Sequence, residues 1–187
     1  MAVTTLGPKT ALVISDLPKG IASLPTVHPI KEVAENAGKL ADAFRAKHLP
    51  VVLVNVMGGA PGRSENTMQR GEMPSDWAQL IPELHEQPTD LKVTKKTWGA
   101  FQNTTLDEQL KKLEVTQIIL AGVATSIGVE STARYAYEYG YNVTLATDAM
   151  TDMSAQAHEN SIKRIFPRLG ETGTTQEIIS LLDQLSG

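Results

Sequence analysis

The strongest constraint on this chain's fold is a series of short apolar runs, each followed by a helical pattern. Thr10–Asp16 (TALVISD), Pro50–Val56 (PVVLVNV) and Thr116–Gly122 (TQIILAG) are nearly uninterrupted in Val, Ile, Leu and Ala. Strands written this way are buried on both faces, as in parallel sheets covered by helices on either side. Between them the period changes. From Ile30 to Lys47, Val33, Ala37, Leu40, Ala41 and Phe44 fall on one helical face. Strands alternating with helices require right-handed crossovers and predict an α/β fold with a mostly parallel sheet.

The remaining elements follow the same rhythm. Asp90–Lys95 reads as a weak strand, Tyr141–Thr147 as another and Arg168–Glu171 as a short final one. Asp76–Leu84 reads as a short helix, and Val129–Tyr139 as a helix stopped by Gly140. Ser154 is placed to cap a helix reaching Ile165. Thr105-x-x-Glu108 and Thr174-x-x-Glu177 have the spacing of capping boxes, the second opening a helix through Leu185. Residues 57–75 are rich in Gly, Pro and polar side chains and read as a long loop.

At 187 residues the chain suits one domain, 1–187. A net charge of -4 argues against nucleic acid or an anionic membrane as partner. No apolar run approaches the roughly 20 residues needed to span a bilayer. The beginning MAVTTLGPKTALVISD lacks the basic and apolar regions of a signal peptide, so cytoplasmic localisation is expected. There is no cysteine, which excludes disulfides, thiolate metal sites and thiol catalysis.

In parallel α/β sheets ligands bind at the carboxyl ends of the strands. Three positions there can carry chemistry. Asp16 ends the first strand; it is either a loop cap or an acid. Lys95 and Lys96 end the third, where one of the two is expected to be solvated. Residues 120–134, LAGVATSIGVESTAR, run from a strand into a helix start. Backbone N–H groups of Ala124, Thr125, Ser126, Ile127 and Gly128 are then available to a ligand, unless the segment is only a tight turn.

Taken together, these segments resemble the isochorismatase-like, or cysteine hydrolase, superfamily. The resemblance spans nearly the whole chain and is strongest in VTKKTWGAFQNTTLDEQL, IILAGVATSIGVESTARYAYEYGYNVTLATDAMTD and HENSIKRIFPRLGETGTTQEII. It implies a three-layer αβα sandwich with a six-stranded, mostly parallel, Rossmann-like sheet. Relatives use an aspartate, a lysine and a cysteine, which match Asp16, Lys95 and Gly128. Lys95 is preferred to Lys96 because the family lysine stands six residues before the Phe of a (S/G)AF element, here Phe101. The resemblance also implies a cis peptide at Val123–Ala124, a small-molecule substrate, no cofactor and a homodimer or homotetramer. For such an assembly Met150, Met153 and Tyr135–Tyr139 are candidate interface residues.

Three departures narrow the chemistry. Gly128 stands where most relatives carry the nucleophilic cysteine. Pro18 stands where relatives often have Gln. Met57–Ser64 has no Asp-x-His pattern and His28, His48, His85 and His158 are scattered, so no metal is expected and nicotinamidase activity is disfavoured. Glycine cannot form a thioester, and Ser126 and Ser131 are offset from the nucleophile position.

Isochorismatases proper also place glycine here and cleave a vinyl ether by acid catalysis. That implies Asp16 as general acid, Lys95 as its partner or a substrate-carboxylate ligand, and Gly128 as space and N–H donor. Their loop carries Tyr-Ala-His where this chain has Ala124-Thr125-Ser126, so the substrate stays open. Trp98 and Phe101 form either an apolar wall over a ring or core packing. Arg63 and Arg70 meet either a substrate carboxylate or solvent. Glu130 and Arg134 have the spacing of a helical ion pair. The alternatives are an inactive relative that binds a small carboxylic acid, and an amidase using a displaced hydroxyl.

Overall fold

A computed structural model describes residues 3–65 and 74–185. A single six-stranded sheet runs through it in the order β3-β2-β1-β4-β5-β6. The strands are β1 (Thr10–Ser15), β2 (Val51–Val56), β3 (Leu91–Lys95), β4 (Gln117–Val123), β5 (Asn142–Thr151) and β6 (Glu171–Gly173). Every neighbouring pair is parallel. The α-helices are α1 (Lys19–Ala22), α2 (Ile30–Ala46), α3 (Leu106–Lys112), α4 (Glu130–Glu138), α5 (Ala155–Asn160), α6 (Phe166–Leu169) and α7 (Thr175–Asp183). Among the described residues, no helix is long and apolar enough to cross a membrane.

The apolar runs are continuous because each strand supplies two cores at once. In β1, Leu12 and Ile14 join Ala37, Leu40 and Phe44 of α2 and Ile178 and Leu182 of α7. Ala11 and Val13 face the other way, toward Leu106 and Leu110 of α3, Ala133 and Ala136 of α4, and Phe166 of α6. Successive side chains of a strand alternate between faces, so both faces of a central strand must be apolar. β3 lies at the sheet edge, and its burial alternates accordingly.

Several expectations are corrected by local chemistry. The Thr105 hydroxyl does not cap α3; it accepts from Gln109 Nε2 at 2.6 Å, while Thr104 Oγ1 receives Leu106 N–H at 3.2 Å. No helix spans Asp76–Leu84: Ile81, before Pro82, is extended, as residues preceding proline prefer. Only Pro82–Leu84 form a 3₁₀ turn, and Leu80 bridges to Pro18. The final strand is Glu171–Gly173, because Arg168 belongs to α6. β5 continues beyond Thr147 to Thr151. The other two caps form as expected. Ser154 accepts from Ala157 N–H, and Thr174 with Glu177 makes a reciprocal capping box.

The sheet order reverses direction at β1. The chain moves from β1 outward through β2 to β3, then returns to place β4 on the other side of β1. The gap between the β1 and β4 loops is the switch point at which α/β sheets form ligand crevices. Two backbone features shape it. The Val123–Ala124 peptide is cis. Gly122 has φ +121°, and a Cβ added there would stand 1.8 Å from the Ser15 carbonyl oxygen. Only glycine lets β4 pass this close to β1.

That contact is backbone against backbone and has no flexible side chain to yield. Gly122→Ala is expected to cost about 3 kcal/mol of unfolding free energy in urea titration, combining a positive φ with overpacking. A loss below about 1 kcal/mol would show that β1 and β4 separate easily.

Candidate active site

Asp16 follows the last residue of β1 and adopts φ +53°, in the left-handed region. Its N–H still donates to Val54 O of β2 at 2.9 Å, so the backbone is anchored as it turns. Asp tolerates this conformation better than most residues. The carboxylate meets Lys95, which ends β3. Lys95 Nζ lies 2.5 Å from Asp16 Oδ2, and only 1% of Lys95 is exposed. Lys95 therefore reaches across the end of β2 to reach β1. Its ammonium also donates to Trp98 O and to Ser15 Oγ at 3.4 Å.

Gly128 completes the group. It sits in a π-helical turn, Thr125–Val129, between β4 and α4. A Cβ on Gly128 would stand 2.8 Å from Asp16 Oδ2, 3.1 Å from Lys95 Nζ and 3.4 Å from Ser15 Oγ. The aspartate–lysine pair thus occupies the space in front of residue 128. Burial raises the Asp16 pKa above its ordinary 3.8, against the opposing pull of the Lys95 charge and of hydrogen bonds from Lys95 and Ser15. The two carboxylate oxygens are unequal. Oδ2 receives both Lys95 and Ser15, the latter at 3.1 Å, whereas Oδ1 is buried without a partner.

Ser15 is a site residue the sequence reading missed, because it looked like one more strand position. Its hydroxyl lies nearer the 128 position than the serines singled out earlier as possible nucleophiles. Ser126 turns away: its N–H and hydroxyl both donate to Asp152 Oδ2, at 2.8 and 2.7 Å. Asp152 was also missed. It is buried and sits at the amino end of the π turn, where a carboxylate suits the helix dipole. Thr125 is fully buried, its hydroxyl 2.8 Å from His158 Nδ1. Burial, and then the charge of His28, hold the His158 imidazole below its usual pKa. Ala124 is buried, and Ile127 packs on the core below the turn.

The two aromatic candidates divide. Trp98 is 66% exposed, and its carbonyl rather than its indole is tied to the site. Phe101 does not form a wall over a substrate. It is 4% exposed and packs on Tyr139 and Tyr141, with ring centroids at 5.4 and 5.9 Å. Tyr141 precedes β5, so this aromatic cluster lies toward the opposite end of the sheet from the site. Thr132 joins the two loops: its hydroxyl donates to Gly128 O at 2.7 Å and receives Ala100 N–H at 3.0 Å. Arg63 is exposed, and Arg70 lies outside the described residues. Glu130 and Arg134 pair on α4 at 3.0 Å. Met150 is 1% exposed and belongs to the core, so it is not an interface residue.

This arrangement brings together a buried carboxyl group, a buried lysine and a glycine-containing turn, without a thiol. Residues 10–177 match the model of the isochorismatase domain. The chain is 44% identical over 178 residues to the uncharacterized isochorismatase family protein YwoC of Bacillus subtilis, covering 91% of this chain and 93% of that protein. An isochorismatase of the same organism is 29% identical over 167 residues, covering 84% of this chain and 51% of that protein. An isochorismatase family protein from Burkholderia thailandensis has a solved structure that superposes with a TM-score of 0.93 at 39% identity. That match covers 97% of this chain and all of the other.

The buried pair makes a stability prediction. Asp16→Asn leaves the Lys95 ammonium buried without a counter-charge and is expected to cost about 3–5 kcal/mol in mildly alkaline buffer, measured by urea unfolding. Adding Lys95→Met to that variant should recover most of the loss. Equal instability of the single and double variants would refute a charge-based cause.

Proposed function

Because this chain belongs to the isochorismatase family of hydrolases, we propose that it hydrolyses an enol ether of isochorismate type, with Asp16 as general acid. The observation that carries the proposal is the division of labour within the Asp16 carboxyl group. Oδ2 is committed to Lys95 and Ser15, while Oδ1 has no partner. A protonated Asp16 would carry its hydrogen on Oδ1, free to deliver it. Burial raises the pKa toward that protonated form.

The chemistry then needs no covalent enzyme intermediate. Asp16 Oδ1–H protonates the terminal methylene of the enol ether, and the double-bond electrons form the new C–H bond. The adjacent carbon becomes an oxocarbenium ion. Water adds to that carbon and returns a proton to the Asp16 carboxylate. The resulting hemiketal collapses to a ketone and expels the alcohol. Lys95 holds the carboxylate in place through the cycle, and its charge steadies the ionised form between proton transfers. Glycine at 128 keeps the space beside the pair free of a side chain. The isochorismatase named among the relatives supports this reaction class.

A second reading, amide hydrolysis by a displaced hydroxyl, has one observation behind it. Ser15 Oγ lies beside Lys95 and Asp16, 3.4 Å from where a Cβ of residue 128 would be. It is set against the full burial of Ser15. The wider reading also includes a cytoplasmic homodimer or homotetramer, with Tyr135, Tyr137, Tyr139 and Met153 exposed for contact.

Assays of isochorismate against simple amides separate these readings. With isochorismate, Asp16→Ala should abolish turnover, and kcat/KM should fall as pH rises through an Asp16 pKa above 3.8. Ser15→Ala removes a hydrogen bond that favours the carboxylate, so it should move that alkaline limb to higher pH and leave the plateau rate. Loss of all activity in Ser15→Ala, with amides as the substrates turned over, would select the second reading. Activity that survives Asp16→Ala would overturn the first. Gly128→Ala pushes a methyl group against the pair and should lower kcat on the order of a hundredfold. Binding of isochorismate without turnover would identify an inactive relative.

A further inference from the structure

The site is built from two loops far apart in sequence: the one after β3, which follows Lys95, and the π turn after β4, which carries Gly128. One hydroxyl stands between them. Thr132, in the first turn of α4, is fully buried. Its Oγ1 donates to Gly128 O at 2.7 Å and accepts Ala100 N–H at 3.0 Å. A helical threonine often bonds the carbonyl four residues back, so the first contact alone says little. The second says more, because Ala100 belongs to the other loop. An N–H can only donate, so the single hydroxyl proton is left for Gly128 O and both directions are fixed. The loop also lies against the helix: a Cβ on Gly99 would stand 3.1 Å from Tyr135 Cδ2 and 3.5 Å from the Ser131 carbonyl carbon. Two residues before Ala100, the Trp98 carbonyl accepts from the Lys95 ammonium. The connection is therefore continuous, from Gly128 O through Thr132 and the 98–100 backbone to Lys95 Nζ and Asp16 Oδ2.

The fit at the centre is close enough for this support to matter. A Cβ at residue 128 would stand 2.8 Å from Asp16 Oδ2 and 3.1 Å from Lys95 Nζ, so small displacements change the room beside the pair. We propose that Thr132 is a positioning residue of the active site, whose hydroxyl sets the spacing between the Lys95 ammonium and the Gly128 turn. Being fully buried, it touches no substrate and acts through the two backbones it joins. Removing the hydroxyl takes a partner from a buried N–H and from a buried carbonyl, and the 98–100 loop lifts from α4 to satisfy Ala100. The ammonium stays bonded to Trp98 O and is drawn with it away from Asp16. The inference rests on the reading of Asp16 and Lys95 as the reacting pair, but not on the enol-ether substrate.

The test compares Thr132→Val, which keeps the shape without the hydroxyl, with Thr132→Ser, which keeps the hydroxyl. The readout is a carbon NMR titration of the Asp16 carboxyl in the full chain, its signal assigned by its loss in Asp16→Asn. In Thr132→Val the Lys95 charge bears less on Asp16, so the titration midpoint should rise by about half a pH unit, roughly a threefold change in proton affinity. Thr132→Ser should keep the wild-type midpoint. Lost stability alone would not move it. Where isochorismate is turned over, Thr132→Val should lower kcat about tenfold with KM changed less than about twofold, since Thr132 meets no ligand, and Thr132→Ser should restore kcat. If Thr132→Val does not fold, Thr132→Cys, with its weak S–H donor, takes its place, and its midpoint should lie above that of Thr132→Ser. A midpoint unchanged or lowered in the variant without the hydroxyl, or raised equally in Thr132→Ser, would overturn the proposal. A midpoint raised by valine or cysteine and restored by serine, in a protein that does not hydrolyse isochorismate, would refute the reaction proposed above and leave the role of Thr132 standing.

Discussion

A carboxylate and an ammonium, both withdrawn from water, face each other at the carboxyl edge of the sheet. Most of the local structure can be understood as what it takes to keep them there. Two such charges are tolerable only when paired and further hydrogen-bonded. Lys95 finds Asp16, Ser15 and the Trp98 carbonyl. Asp16 finds Lys95 and Ser15 on one oxygen only. The pairing is therefore complete for the cation and incomplete for the acid. That asymmetry sets the pair apart from the ion pair of Arg45 with Asp90, where Arg45 donates to both carboxylate oxygens.

Glycine makes this geometry possible at two levels. Gly122 allows the β4 backbone to lie against Ser15, which brings the turn after β4 over the end of β1. Gly128 then leaves room for the aspartate–lysine pair within that turn. The absence of a side chain at 128 is thus matched by what fills the space. A thiol introduced there would have to displace the charges that define the site.

Much of this was legible in the sequence, for identifiable reasons. Continuous apolar strands announce a doubly covered parallel sheet, and Asp16 and Lys95 end two of them. Their partnership was visible only through resemblance, because nothing local links residues 16 and 95. What escaped was set by tertiary contact. β5 seemed to stop before Asp148, yet that carboxylate is satisfied by Thr175 N–H and hydroxyl, so the strand continues. Asp152, just beyond it, therefore reaches the start of the 125–129 turn. Ser15 resembled its strand neighbours in everything but its hydroxyl. Phe101 followed a motif that points to the site, but Tyr139 and Tyr141 offered its ring a drier place.

The position of β3 has a consequence for how the protein ages and fails. It is the outermost strand at its end of the sheet, paired only with β2. Marginal strands open at lower free energy than central ones. Lys95 therefore stands on an edge strand, where fraying is easier than at the centre, while Asp16 follows a strand flanked on both sides. Partial opening would strand the cation in solvent and leave the acid in place. Loss of competence would then begin as a local event at the margin, well before the two cores come apart.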